Sequence, residues 1–212
     1  MLKCFSIFRD VMNYPFISKE NPLILASASP RRKRLLTQIG ISFRSVTSHV
    51  VEDGAMGDPS QVSCVLAEKK AADVYKKTGP SWVLGADTMV AIENEILGKP
   101  KDKKEAECML NLLNGKEHQV VTGFCLVDPS GVTAHLEAVS TLVRIKKLTV
   151  REITSYIRTG EPFGKAGGYA IQGIGSFMVE TISGSYTNVV GMPLCALTKA
   201  FVLAGGLMSF PP

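Results

Sequence analysis

Residues 22–30 hold the feature that most restricts what this chain can fold into. Pro22-Leu-Ile-Leu-Ala26 is a short apolar run, the pattern of a strand buried on both faces. It passes directly into Ser27-Ala28-Ser29-Pro30. That is a helix start, with Ser29 as N-cap and Pro30 at the first helical position, where its missing N–H is no loss. Leu35, Leu36 and Ile39 continue at helical spacing, and Gly40 ends the helix. A buried strand that feeds a helix points to an α/β architecture.

The remaining pattern extends this unit. Residues 42–47, 82–85, 120–127 and 138–145 read as strands, and 89–92 with 95–97 as a hairpin. Residues 59–77, 102–113, 149–158 and 193–204 read as helices. Helix 59–77 is expected to turn Val62, Val65, Leu66 and Ala72 inward; helix 102–113 is expected to rest on Ala106, Met109, Leu110 and Leu113. Asp128-Pro129-Ser130-Gly131 marks a turn between two long strands. Those neighbours are antiparallel, so the expected sheet is mixed. With 212 residues, no repeat and no linker, we expect an N-terminal extension over 1–21, one domain over 22–206 and a tail over 207–212.

Composition narrows the function classes. Apolar residues make up 45% and charged residues 20%, which excludes disorder, collagen and coiled coil as the main state. A net charge of +5 suits an anionic ligand without demanding nucleic acid. The five cysteines, at 4, 64, 108, 125 and 195, include no CxxC pair. Free thiols in a reducing compartment are therefore expected, not a disulfide framework or a zinc site. Residues 1–19 are interrupted by Arg9 and Asp10 and do not read as a signal peptide. No run of 18 apolar residues occurs. A soluble, cytoplasmic protein without a membrane partner is the expectation. GxxxxGK[ST], GxGxxG, GxSxG and HExxH are absent, and His49, His118 and His135 are scattered. Hydrolytic chemistry would rest on carboxylates, lysines and arginines.

Four constellations carry such chemistry. Arg31 and Arg32 stand in the first turn of the first helix, against the positive end of its dipole. Stability alone would place acids there. With Ser27, Ser29 and the free N–H groups they form an oxyanion site, although a solvated basic face, continued by Lys33 and Arg34, is the plainer alternative. Leu84-Gly85-Ala86-Asp87-Thr88 closes an apolar strand with a carboxylate that could hold a divalent metal or orient water; a turn-initiating Asp is the alternative. Gly98-Lys99-Pro100 places a cation at a strand exit, which on its own is an ordinary loop lysine. Residues 164–191 hold seven glycines. Their core, Lys165 to Gly173, reads as backbone lying close to a ligand, with Gln172 able to read a base edge, or else as a set of tight turns.

Together these stretches resemble the Maf family of nucleoside triphosphate pyrophosphatases. The matching segments are LASASPRRKRLL (25–36), VLGADT (83–88), ILGKP (96–100), GKAGGYAIQG (164–173) and GSYTNVVGMP (184–193). The resemblance covers roughly residues 22–204. It implies an elongated α/β fold, with a mixed sheet, flanking helices and a deep central cleft between two lobes, similar to inosine triphosphate pyrophosphatases. It implies hydrolysis of a nucleoside triphosphate between the α and β phosphates, a divalent cation (Mg2+, Mn2+ or Co2+), and a cytoplasmic homodimer. Clearing non-standard nucleotides is one use of that reaction. Asp87 falls on the family's proton acceptor, Glu52 on a second acidic position near the metal, and Lys70 on a catalytic or phosphate-binding lysine, with Lys69 one position away as the alternative. Asp87 and Glu52 are the implied metal ligands. Ser27, Arg31, Arg32 and Lys99 fall on substrate-contacting positions. Arg31, Thr88 and Gln172 match the branch acting on dTTP and UTP, in contrast to the 7-methyl-GTP branch. Phe163-Gly164 and Gly98 depart from the family, which often has acidic residues there. The competing reading is a regulatory protein linked to cell division that binds nucleotides or nucleic acid. Carboxylates beside a phosphate site favour the enzyme.

Overall fold

The computed structural model describes residues 14–51, 57–93 and 95–212. Seven strands form one mixed sheet: β1 (Leu23–Leu25), β2 (Phe43–Ser45), β3 (Val83–Ile92), β4 (Glu95–Leu97), β5 (Glu117–Val127), β6 (Thr133–Ile145) and β7 (Val179–Ser183). The order is β2-β1-β3-β5-β6-β7, with β4 also on β3. The two pairings of β1, with β2 and with β3, are parallel and the others antiparallel. The helices are α1 (Pro30–Gln38), α2 (Pro59–Thr78), α3 (Lys103–Leu113), α4 (Val150–Arg158), α5 (Tyr186–Val190) and α6 (Leu194–Leu203). None of the described helices is long and apolar enough to cross a membrane.

The strand-to-helix unit forms as the residues dictate. Ser29 Oγ accepts from the Arg32 N–H, Pro30 opens the helix, and Gly40 turns the chain at φ 73°. α3 buries the expected Ala106, Met109, Leu110 and Leu113. α4 carries a reciprocal capping box between Thr149 and Glu152. Three expectations need correction. Residues 83–92 are one strand, not a short strand followed by a hairpin arm, so Asp87 lies in the middle of β3 and does not close it. β7 and α5 carry no clear periodic signal and were not expected. In α2, Leu66 points inward, but Val65 and Ala72 are exposed and Val62 is half-buried; the buried face is Ser63, Leu66, Ala67, Lys70, Ala71 and Val74.

The reason for that rotation lies in the sheet. A Cβ on Gly85 would come within 2.1 Å of the Ala67 carbonyl oxygen, and one on Gly123 within 2.4 Å of the Ser63 backbone. Helix backbone lies directly on two strand glycines, and only small side chains fit that seam. Packing distance, not hydrophobicity, selects the face.

Of three hydrophobic clusters, one lies under α2 with Ala67, Ala71, Val74, Val83 and Cys125, and the other two meet along the long strands. Leu84 and Ala86 of β3 join Leu23, Leu25, Leu36, Phe124, Leu197 and Phe201. Val90 and Ile92 of the same strand join Leu110, Leu113, Val120, Ile145 and Tyr156. Asp87 and Thr88 stand between the two sets. Residues 14–21 contribute Ile17 to the first core, where its N–H donates to the Gly206 carbonyl at 2.8 Å, and Leu207 is buried in that core too.

Candidate active site

A gap in the sheet opens the cleft. β1 pairs with β3 only as far as Leu84, and β4 pairs with it only from Val90. Among the described residues no strand covers the β3 edge between them. It is the neighbouring strand β1 that ends here, delivering Ser27 and the N-terminus of α1. The resulting cleft measures about 390 Å3. Ser27, Arg31 and Arg32 line it from one side; Lys70, Asp87 and Thr88 form its base. Lys99, just after β4, and Gln172, in the segment between α4 and β7, line it from the other side. The sequence therefore located eight residues that the fold brings together. Glu52, the ninth, lies outside the described residues.

Lys70 and Asp87 are both buried, and Lys70 Nζ lies 2.5 Å from Asp87 Oδ1. The tight seam of α2 on Gly85 and Gly123 sets this contact, because it lowers Lys70 onto β3. Lys69 is exposed, so Lys70 is the lysine of the cleft. Burying two charges costs more than the pair recovers unless geometry and further contacts offset it.

The two arginines differ. Arg32 is held by the protein: Nε donates to the Gly191 carbonyl (2.9 Å), Nη1 to Ser27 Oγ (3.2 Å) and Nη2 to Thr88 Oγ1 (3.0 Å). Thr88 Oγ1 lies 3.0 Å from Thr122 Oγ1, and Thr122 donates to the Asn188 carbonyl at 3.2 Å. Arg32 thus ties α1, β3 and the end of α5 into one frame. Arg31 lines the cleft, and burial lowers its pKa from the ordinary arginine value. Lys165 lines the cleft as well. Burial lowers its pKa first and the charge of Arg31 next, against the opposing pull of Glu161. Two cations brought together in a partly desolvated cleft create an anion site.

Sequence reading quoted Lys165 within a motif but gave it no role. It also passed over Tyr169, which lines the cleft while its hydroxyl meets His118 Nε2 at 2.7 Å. Burial pushes His118 down to about 4 and the Tyr169 phenol up, so both are neutral near pH 7. An isolated histidine 51 residues from its partner leaves no local signal.

No cluster of three or more His, Cys, Asp or Glu that could hold a metal ion occurs among the described residues. Asp87 supplies one carboxylate, with Oδ1 engaged by Lys70. Magnesium commonly binds through one or two carboxylates, with substrate phosphates and water as its other ligands. The donor set fits a cation that arrives on a polyphosphate.

Known proteins resemble this chain over most of its length. Residues 22–202 match the family model described as Maf-like protein. The dTTP/UTP pyrophosphatase of Geotalea uraniireducens (strain Rf4) is 49% identical over 186 residues, 87% of this chain and 96% of that protein. The dTTP/UTP pyrophosphatase of Citrifermentans bemidjiense is 48% identical over 190 residues, 89% of this chain and 98% of that protein. The protein of the same description from Thermococcus onnurineus (strain NA1) is 45% identical over 186 residues, 88% of this chain and 100% of that protein.

Proposed function

The chain belongs to the Maf-like protein family, and from that premise we propose that it is a nucleoside triphosphate pyrophosphatase acting on dTTP and UTP. The observation that carries the reading is the buried Lys70–Asp87 pair at the base of a cleft that also carries Arg31, Lys99 and Lys165. A module that only bound anions would gain nothing from a carboxylate there.

Water adds to the α phosphorus while the α–β bridging bond breaks, and pyrophosphate leaves with the bridging oxygen. Asp87 takes the proton of that water on its second carboxylate oxygen, while Lys70 fixes the carboxylate through Oδ1. Arg31, Lys99 and Lys165, with the N-terminus of α1, neutralise the phosphates. Arg32 holds Ser27, Thr88 and the Gly191 turn in place around them. Asp87, together with Glu52, would hold the divalent cation, which supplies charge neutralisation and polarisation of the phosphate oxygens when bound. Gln172 reads the pyrimidine edge by donating and accepting.

The free thiols of Cys64, Cys108, Cys125 and Cys195 support a reducing, cytoplasmic setting, and the family resemblance supports a homodimer. The direct test is pyrophosphate release from a panel of nucleoside triphosphates with Mg2+. dTTP and UTP should give the monophosphate and pyrophosphate at least ~10-fold faster than ATP or GTP. Release of orthophosphate, or no turnover of any triphosphate, would overturn the assignment.

A further inference from the structure

We propose that Glu161 is a positioning residue for base selection, acting through the backbone that carries Gln172. The inference rests on the reading of Gln172 above. Glu161 lies just beyond α4, in a Gly-Glu-Pro-Phe-Gly-Lys stretch that forms no phosphate loop. Its carboxylate accepts two main-chain N–H groups, Oε1 from Ile174 at 3.0 Å and Oε2 from Gly175 at 2.7 Å. Paired N–H donors on one carboxylate make a charge-assisted, directional clamp. On the other side of Gln172, Tyr156 Oη accepts the Ala170 N–H at 3.2 Å. Burial, and then the charge of Glu161, push the Tyr156 phenol up. It stays a neutral partner at working pH. Gln172 is thus held between two anchored points, one on each side.

The fit around Glu161 is close. A Cβ on Gly173 would stand 1.5 Å from Glu161 Oε1. Gly173 has a negative φ of −113°, so a side chain there would meet no backbone strain but would push the carboxylate out of its place. The main-chain carbonyl of Glu161 accepts from Lys165 Nζ. Glu161 therefore organises the cation on the phosphate side through its backbone and the base-reading loop through its side chain. Glu161 is not among the residues lining the cleft, yet it clamps the loop that brings Gln172 there.

Glu161→Gln is the informative variant, because an amide can accept from one of the two N–H groups but opposes the other with its own donors. Gly173→Ala reaches the same contact from the opposite side. Steady-state kinetics with dTTP, UTP and ATP should be run on the wild-type protein and on both variants, with amide hydrogen exchange at Ile174 and Gly175. The expected result is a ~10-fold loss of dTTP over ATP preference, carried by a higher KM for dTTP rather than a lower kcat, with faster exchange at both amides. A merely structural role would lower all nucleotides alike. Unchanged preference in both variants, against a wild type that does prefer dTTP, overturns the proposal and leaves the pyrophosphatase reading intact. Wild-type protein that turns over dTTP and ATP equally removes the base-reading role of Gln172 and the proposal with it. In that case the exchange measurement still shows whether the clamp exists.

Discussion

Asp87→Asn keeps the size of the side chain and an oxygen for Lys70, while removing the charge to which we assign proton acceptance. Turnover should fall by more than ~100-fold. Folding should survive, because the acceptor remains, although an uncompensated ammonium should lower stability by about 1–3 kcal/mol. Pyrophosphate release and a thermal melt check both halves, and near-wild-type turnover would remove Asp87 from its assigned role. The two arginines separate in the same pair of measurements. Arg31→Ala should weaken substrate binding by about 1.5–3 kcal/mol and slightly raise the melting temperature. It relieves an unfavourable dipole contact and the repulsion with Lys165. Arg32→Ala should instead lower the melting temperature, since it deletes three hydrogen bonds to Gly191, Ser27 and Thr88. The cationic side of the cleft was legible in sequence because arginines in a helix's first turn break a local stability rule. The division of labour between them was not, because the partners of Arg32 lie on other elements.

At the level of elements, the seam between α2 and the sheet decides where Lys70 stands. Gly123→Ala would drive a methyl group into the main chain at Ser63 and Cys64, which cannot move without shifting the helix. A destabilisation of about 1–3 kcal/mol or more follows from such overpacking, with Lys70 displaced from Asp87. Gly98→Ala is the matched control: nothing lies within 4 Å of its added Cβ, and its melting temperature should stay near wild type. Urea unfolding of the two variants distinguishes them, and equal stability would show that the seam has slack. The helix itself was legible over nearly its whole length. Its inward face was not, because apolar pattern favours Val65, whereas close contact with two glycines admits only Ser63, Ala67 and Ala71. β3 was split in the same way: Gly85 and Asp87 read as a strand end, and only the pairing of Asp87 with Gly123 shows the strand continuing.

Across the whole molecule, the two cores share β3 and β5, and His118 stands where the second core meets the cleft wall. In the unfolded chain His118 binds a proton near its ordinary value; in the fold it does so only near 4. Between those values the unfolded state holds more protons, so stability is present above about pH 6.5 and declines as pH falls toward 4. The loss should reach about 3 kcal/mol at full effect. His118→Gln should flatten the melting temperature between pH 6.5 and 4, and an unchanged slope would assign the acid sensitivity elsewhere. The α/β class and mixed sheet were legible because each strand and helix carries its own pattern. The gap between β1 and β4 was not, since the place where a neighbouring strand stops is written in neither strand. The frame around Arg32 also has a consequence for how the enzyme is made. Lys70 and Asp87 lie 17 residues apart, whereas Arg32 and Gly191 are separated by 159. A ribosome delivers the acid and its lysine close together, whereas Arg32 waits 159 residues for the carbonyl that fixes it. Until Gly191 has joined a nascent chain, Arg32 lacks the carbonyl that anchors it, so the frame around the Lys70–Asp87 pair closes only once that residue has been made.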